Sequence, residues 1–259
     1  MKKFELTSEF ITNVLGVKLF RIRALVEFGN VSKGEFGGYV EKEENLDHYG
    51  DAWVYDDAQV YGDARVSGDA WVYGNARVSG DAQVYGNAQV SGNAQVSGDA
   101  WVSGDALVYG NARVSGNVRV SGEALVYGDA QVSGNALVSG NARVSGNAQV
   151  SGDALVYGNV RVSGDARVSG DALLSGNAQF YGDAQVSGDA DYTTVKGFGR
   201  YNRNTTFFRC KDGKVRVACG CFFGDMEEFR AIVKKTHGDG KIAIEYLMIA
   251  DLMEMHFKV

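Results

Sequence analysis

Asp63-Ala64-Arg65-Val66-Ser67-Gly68-Asp69-Ala70-Trp71-Val72-Tyr73-Gly74-Asn75-Ala76-Arg77-Val78-Ser79-Gly80 decides the fold. These residues are three versions of one six-residue phrase: Asp or Asn, alanine, a variable residue, valine, Ser or Tyr, and glycine. From Val54 to Val186 the phrase runs through 23 consecutive registers, in which only Leu174 and Phe180 replace the valine. Alanine follows each of these four positions later, except at Val118 and Val160. A short fixed period of this kind predicts a solenoid.

Strand alternation explains the phrase. In Ala64-Arg65-Val66 the two apolar residues share one face and the middle residue takes the other. The Ser or Tyr after the valine points outward again, and Gly followed by Asp or Asn makes a corner, because these residues adopt left-handed backbone angles at least cost. Each phrase is therefore one short strand and one bend. One such strand cannot bury its small apolar face, but three closing a triangle can. Three phrases then make an 18-residue coil, and coils stack at about 4.8 Å. Seven or eight of them predict a prism about 36 Å long with ladders of valine and alanine inside.

The repeated aliphatic residue with alanine four positions on resembles the hexapeptide-repeat family. That resemblance implies a left-handed parallel β-helix, and the hand is an expectation from the family alone, since parallel crossovers in other folds are right-handed. A second resemblance rests on Arg21-Ile22-Arg23-Ala24-Leu25, Phe28 to Glu41, Glu43-Glu44-Asn45-Leu46, Thr205-Thr206-Phe207-Phe208-Arg209, Lys211-Asp212-Gly213 and Cys219-Gly220-Cys221-Phe222. These segments look like the openings and closing domains of repeat proteins encoded by bacteriophages and prophages, and imply a viral origin more than an activity.

Three segments follow. Residues 1–50 break the period and read as an N-terminal cap with an irregular first coil. Its expected inward residues are Phe36, Val40, Leu46 and Ala52, with Lys42 and His48 in two nominal valine slots. Residues 51–191 form the β-helix. Residues 192–259 read as a small α+β domain in ββαα order: strands Thr205 to Cys210 and Val215 to Cys221, a helix capped by Asp225 with Phe229, Ile232 and Val233 on one face, and a second helix from about Lys241 to His256. Ile244, Leu247, Met248, Leu252 and Met255 are its expected packing residues. The domain either caps the prism or projects from it.

The formal charge is −6, distributed unevenly. Residues 51–190 hold 15 acids, 7 arginines and no lysine, whereas Tyr192 onward holds 12 basic and 8 acidic residues. No apolar run is long enough to span a membrane and Met1 to Glu5 lacks a signal pattern, so the cytoplasm of a bacterial host is expected, with virion association left open. The odd set of three cysteines, all between Cys210 and Cys221, agrees with reduced thiols.

Chemistry is sparse. Hexapeptide acyltransferases use a coil histidine as general base, and carbonic anhydrases on this fold bind zinc through histidines. The repeats contain no histidine and no inserted loop, leaving His48 of the first coil as the one nearby base. Cys210, Cys219, Cys221 and His237 are weak metal candidates, because structural zinc sites favour wider pairs than Cys-x-Cys. No cofactor is expected. Arg200, Arg203, Arg209, Lys211 and Arg216 form a candidate C-terminal partner surface, although nucleic acid is not the expected partner.

The outward positions carry more. Read in steps of eighteen, one flank displays Trp53/Tyr55, Trp71/Tyr73, Leu107/Tyr109 and Leu125/Tyr127, interrupted by Gln89/Ser91 and followed by Arg143/Ser145, Arg161/Ser163 and Gln179/Tyr181. The second flank shows only Gln or Arg before its valines. The third shows Trp101, Leu137, Leu155 and Leu173, with Tyr85 and Tyr157 beside two of its strands. Two unlike apolar flanks meeting at one edge suit a heterologous interface, so a homotrimer is expected. The functional expectation is a non-enzymatic phage-type scaffold presenting a terminal partner-binding domain to a host protein or small ligand. Two alternatives accompany it: a counter-defence factor sequestering a host protein or signalling nucleotide, and an atypical acyltransferase.

Overall fold

Each alanine-variable-valine triplet yields a strand only two residues long, as at Arg65–Val66 and Trp71–Val72, because the following glycine turns the chain. The computed structural model, which describes residues 2–258, stacks these strands into a parallel β-solenoid of about eight turns. Each strand pairs with the one 18 residues on, Trp53 with Trp71 and Arg65 with Gln83. The peptide N–H of Arg65 donates to Ala82 O at 2.9 Å, that of Ser67 to Val84 O at 3.0 Å and that of Asp69 to Gly86 O at 2.9 Å, and the pattern repeats coil after coil. Three sheets result, of eleven, eight and seven strands. Valine and alanine of every coil are buried inside them.

The corners show a division of labour. Glycine, not the Asp or Asn after it, takes the left-handed angle, as at Gly80 with φ +70°, where an added Cβ would stand 2.9 Å from Gly98 N. Where the phrase lacks its glycine, Asp56 takes φ +53° instead. The Asx residues form hydrogen-bonded columns: Asn93 Nδ2 donates to Asn111 Oδ1, and Asn111 Nδ2 to Asp129 Oδ1.

At the N-terminus, β1 (Phe4–Thr12) and β2 (Lys18–Ala24) form a hairpin, and β2 pairs antiparallel with β3 (Phe36–Val40), which joins the eleven-stranded sheet. Here two expectations need correction. Phe36 is half exposed rather than inward. Val40 pairs with Val60, and Leu46 bridges Val66, each twenty residues on. The first coil thus contains two extra residues, between Leu46 and Trp53. Val40 and Leu46 fill valine slots, and Lys42 and His48 were never in them.

The cap also supplies donors that a missing coil would have supplied. Carbonyls of the first regular coil point toward the N-terminus. Asn45 Nδ2 donates to Gly62 O and Ala64 O, and Lys3 Nζ donates to Gly50 O and Ala52 O, both side chains being buried. The N–H groups of Tyr39, Glu41 and Asp47 serve Ala58, Val60 and Val66.

The C-terminal domain closes the other end. Its sheet has four antiparallel strands, Tyr192–Phe198, Arg203–Arg209, Val215–Cys219 and Phe222–Asp225, so the expected two-strand sheet lacked its outer members. The solenoid strands end at Gln185–Val186, and Ala190 is exposed in a short 3-10 turn rather than inward. Alternation sends Phe208 and Ala218 into the solenoid core and Phe207, Val215 and Val217 toward the helices α1 (Met226–His237) and α2 (Lys241–Phe257). The domain therefore caps the prism. Thr206 of this domain and the 3-10 turn before it take over the last coil's unpaired N–H groups: Asp189 Oδ1 accepts from Leu173 N, Thr206 Oγ1 from Gln179 N, and Asp191 Oδ2 from Ser187 N.

Asp225 caps α1 as expected, accepting from Glu228 N. The buried face of α2 differs from expectation. Ala243, Tyr246, Ile249, Ala250, Met253 and Phe257 pack inward, because the two alanines admit close approach of the helix and Tyr246 Oη reaches Phe198 O at 3.3 Å. Ile244, Met248, Leu252 and Met255 face outward, and Ile232 of α1 is exposed as well.

Burial lowers the Lys3 ammonium to about 8, against its ordinary 10.5. The folded chain thus gives up this proton more readily than the unfolded chain, which binds more protons between those values, so stability rises with pH there. Relative to Lys3→Met, the parent should gain stability as the pH rises from 8 to 10.5 in denaturant titrations. Parallel pH trends for the two proteins would contradict this burial of charge.

Candidate interaction surfaces

Outward positions of the solenoid fall in straight columns because the pairing never slips along the regular repeats. On the seven-stranded sheet, Leu137 pairs with Leu155 and Leu155 with Leu173, giving a continuous leucine row. Arg119 separates this row from Trp101 and lies over its indole, Cζ 4.9 Å from the ring centroid. Tyr85 meets the same indole edge-on at 6.5 Å. Trp101, Leu155 and Tyr157 are 37, 38 and 40% exposed, high values for large apolar groups held in a sheet. Leu137 and Leu173 are half-buried.

The eight-stranded sheet carries the aromatic flank. Tyr55 and Trp71 meet edge-on at 5.9 Å, Tyr73 Oη donates to Gln89 Oε1 at 3.3 Å, and Tyr109 stacks on Tyr127 with ring centroids 5.0 Å apart. Leu107 and Leu125 pair beside them. Burial raises the Tyr55 and Tyr109 phenols above the usual range. Shallow depressions of about 460 and 280 Å³ run along this flank, the first between Tyr55, Trp71 and Tyr73 and the second between Tyr73, Leu107 and Tyr109.

Trp53 does not belong to that surface. It is fully buried, with Phe4 and Phe28 edge-on to it at 6.2 and 5.4 Å. The cap folds over the first coil, so an outward position of the repeat becomes a core position of the cap. Nothing in the periodicity signals this. The aromatic residues Phe4 and Phe28, outside the repeat, were the available clue.

His48 is also part of the cap. Its Nε2 pairs with Glu43 Oε1 at 2.7 Å, Nδ1 accepts from Lys3 N at 3.2 Å, and its ring packs on Phe4 at 4.5 Å. Lys2 first, and then His48, hold the Glu43 carboxyl below the usual carboxylate range. Both imidazole nitrogens are engaged, leaving no lone pair for a substrate.

The expected basic surface is divided. Arg209 pairs with Asp191 at 3.6 Å and donates to Phe257 O at 3.0 Å, while Arg216 pairs with Asp212 at 2.8 Å. Lys211 sits exposed at the turn beside the solenoid, its N–H on Asp183 O. Arg200 and Arg203 lie elsewhere, at the mouth of a cavity that Cys219, Cys221 and His237 also line. Alternation along the strand and the intervening turns send these cations in different directions.

The thiols separate likewise. Cys210 is buried against the solenoid, and burial followed by the contact with Asp183 pushes its thiol up to about 12. Cys219 accepts from Thr205 Oγ1 at 3.2 Å, and Cys221 is exposed. Among the described residues no group of three or more His, Cys, Asp or Glu side chains is placed to hold a metal ion. No helix among them is long and apolar enough to cross a membrane.

Overlapping stretches of the chain, covering residues 58–128 and 130–176, match the family model described as YdcK beta solenoid repeat. The match and the three parallel ladders establish a β-solenoid repeat protein. No match to a curated protein is found.

Burial separates Trp53 from Trp101. Trp53→Ala should lower unfolding free energy by about 3–5 kcal/mol, and Trp101→Ala by about 1 kcal/mol or less, in chemical denaturation. Similar losses would contradict the assignment of Trp53 to the cap core. In thiol titration of the folded protein, Cys221 should react first, Cys219 more slowly and Cys210 only on unfolding. Early modification of Cys210 would mean that the C-terminal cap opens.

Proposed function

We propose that the protein is a non-catalytic scaffold, whose β-solenoid assembles into a homotrimer through its two apolar flanks and holds the C-terminal domains toward a partner. The observation that carries this reading is the row of Leu137, Leu155 and Leu173 beyond Trp101 on one flank. It has no role in closing the coil, since valine and alanine already fill the interior. The aromatic flank of Trp71, Tyr73, Tyr109 and Tyr127 belongs to the neighbouring sheet. A threefold assembly brings one flank of each subunit against the other flank of the next. Contiguous apolar surface of this kind is typical of interfaces.

Two further features support the reading. The engaged nitrogens of His48 favour a structural histidine over a general base. The outward row of Ile244, Met248, Leu252 and Met255 on α2 favours a protein partner for the terminal domain. A host protein fits the resemblance of the end segments to phage-encoded repeat proteins.

Light scattering of the parent should give three times the chain mass. Trp101→Arg, Leu137→Arg and Leu155→Arg combined should give a monomer with its β-type circular dichroism retained. A monomeric parent would overturn the trimer.

A further inference from the structure

Oligomerisation makes no use of a cavity of about 420 Å³ in the C-terminal domain. It opens where the loop before the strand Arg203–Arg209 faces the two helices. Apolar groups of Phe222, Phe229 and Ile232 form much of its wall, with Tyr246 behind them, and no Asp or Glu lines it. Its size lies in the range of sites for small organic molecules, roughly 300–1,000 Å³.

Its mouth is cationic and unbalanced. Arg200 Cζ lies 5.6 Å and Arg203 Cζ 5.1 Å from the centroid of the Tyr201 ring. Among the described residues neither guanidinium has a carboxylate partner, whereas Arg209 and Arg216 each have one and Arg230 has two. Two like charges gathered on one ring repel each other, and an anion between them removes that repulsion. The Arg203 guanidinium lies over the turn at Gly220, where a φ of +63° calls for glycine. Burial pushes the Tyr246 phenol, neutral at pH 7 in any case, up to about 12.

We propose that this cavity binds a small anion carried on an aromatic ring. The guanidinium groups take a phosphate, sulfonate or carboxylate through charge-assisted hydrogen bonds, and the ring enters between Phe222, Phe229 and Tyr246. The site lies within one chain and does not depend on the trimer.

Isothermal titration of the full chain with phenyl phosphate tests it. One molecule should bind per chain, with phenol and inorganic phosphate each binding more weakly because each satisfies half of the site. Arg200→Gln with Arg203→Gln should weaken phenyl phosphate at least about ten-fold. Ile232→Trp, which fills the cavity from an exposed position and leaves both arginines in place, should abolish binding. Lys214→Gln, on a distant turn, should leave it unchanged. Circular dichroism checks the fold of each variant, and if the arginine variant is unfolded the Ile232→Trp result decides. Absence of saturable binding to the parent, or binding unchanged by Ile232→Trp, would overturn the proposal.

Discussion

Peptide hydrogen bonds between residues eighteen apart hold every coil of this protein to the next, and the rest of the structure is arranged so that this ladder has no loose end. The strands are two residues long, too short to be stable alone. Their stability comes from stacking, with valine on valine and alanine on alanine inside and peptide groups paired between coils. A ladder of this type exposes carbonyls at one end and N–H groups at the other, and such ends recruit other chains. Here Lys3 and Asn45 donate to the exposed carbonyls, and Asp189, Asp191 and Thr206 accept from the exposed N–H groups. With both ends closed, the apolar residues of the flanks remain as lateral surface, on which the proposed trimer rests.

The ladder also explains why outward residues can form a recognition surface at all. Register between regular coils is constant, so a substitution at one outward position changes one row of one flank without disturbing the interior. Leu137, Leu155 and Leu173 line up for this reason, as do Tyr109 and Tyr127. The same rigidity fixes the C-terminal sheet. Phe208 stacks into the core beside Phe180, and Phe207, one residue earlier, points into a second core under α1 and α2. One strand thus joins scaffold and terminal domain, and places the arginine-rimmed cavity on the domain.

The periodic part was legible because one rule, the placement of valine and alanine, determines every coil. The ends obey other rules. Two extra residues before Trp53 shift the phase of the first coil, and extrapolation from Val54 could not detect an insertion that leaves the hexad itself intact. Trp53 read as outward because periodicity assigns a side, while burial depends on Phe4 and Phe28 arriving from elsewhere in the chain. The strands Tyr192–Phe198 and Phe222–Asp225 lacked clean alternation, with Gly197 and Gly224 interrupting them. For α2 the apolar residues surround the helix almost completely, so spacing alone could not choose a face. The small Ala243 and Ala250 mark the face that packs. The outward placement of the flank residues was readable apart from Trp53, whereas the lack of a carboxylate partner for Arg200 and Arg203 became visible only once the partners of Arg209 and Arg216 were known.

Amide hydrogen exchange along the solenoid tests the closed ladder most directly. The peptide groups of Leu173, Gln179 and Ser187 in the last coil should exchange as slowly as their counterparts Leu137, Arg143 and Ser151 in the middle, because side chains of the closing turn and of the terminal domain replace the next coil. A steady rise in exchange rate toward the C-terminal coil would show a frayed end and contradict the account.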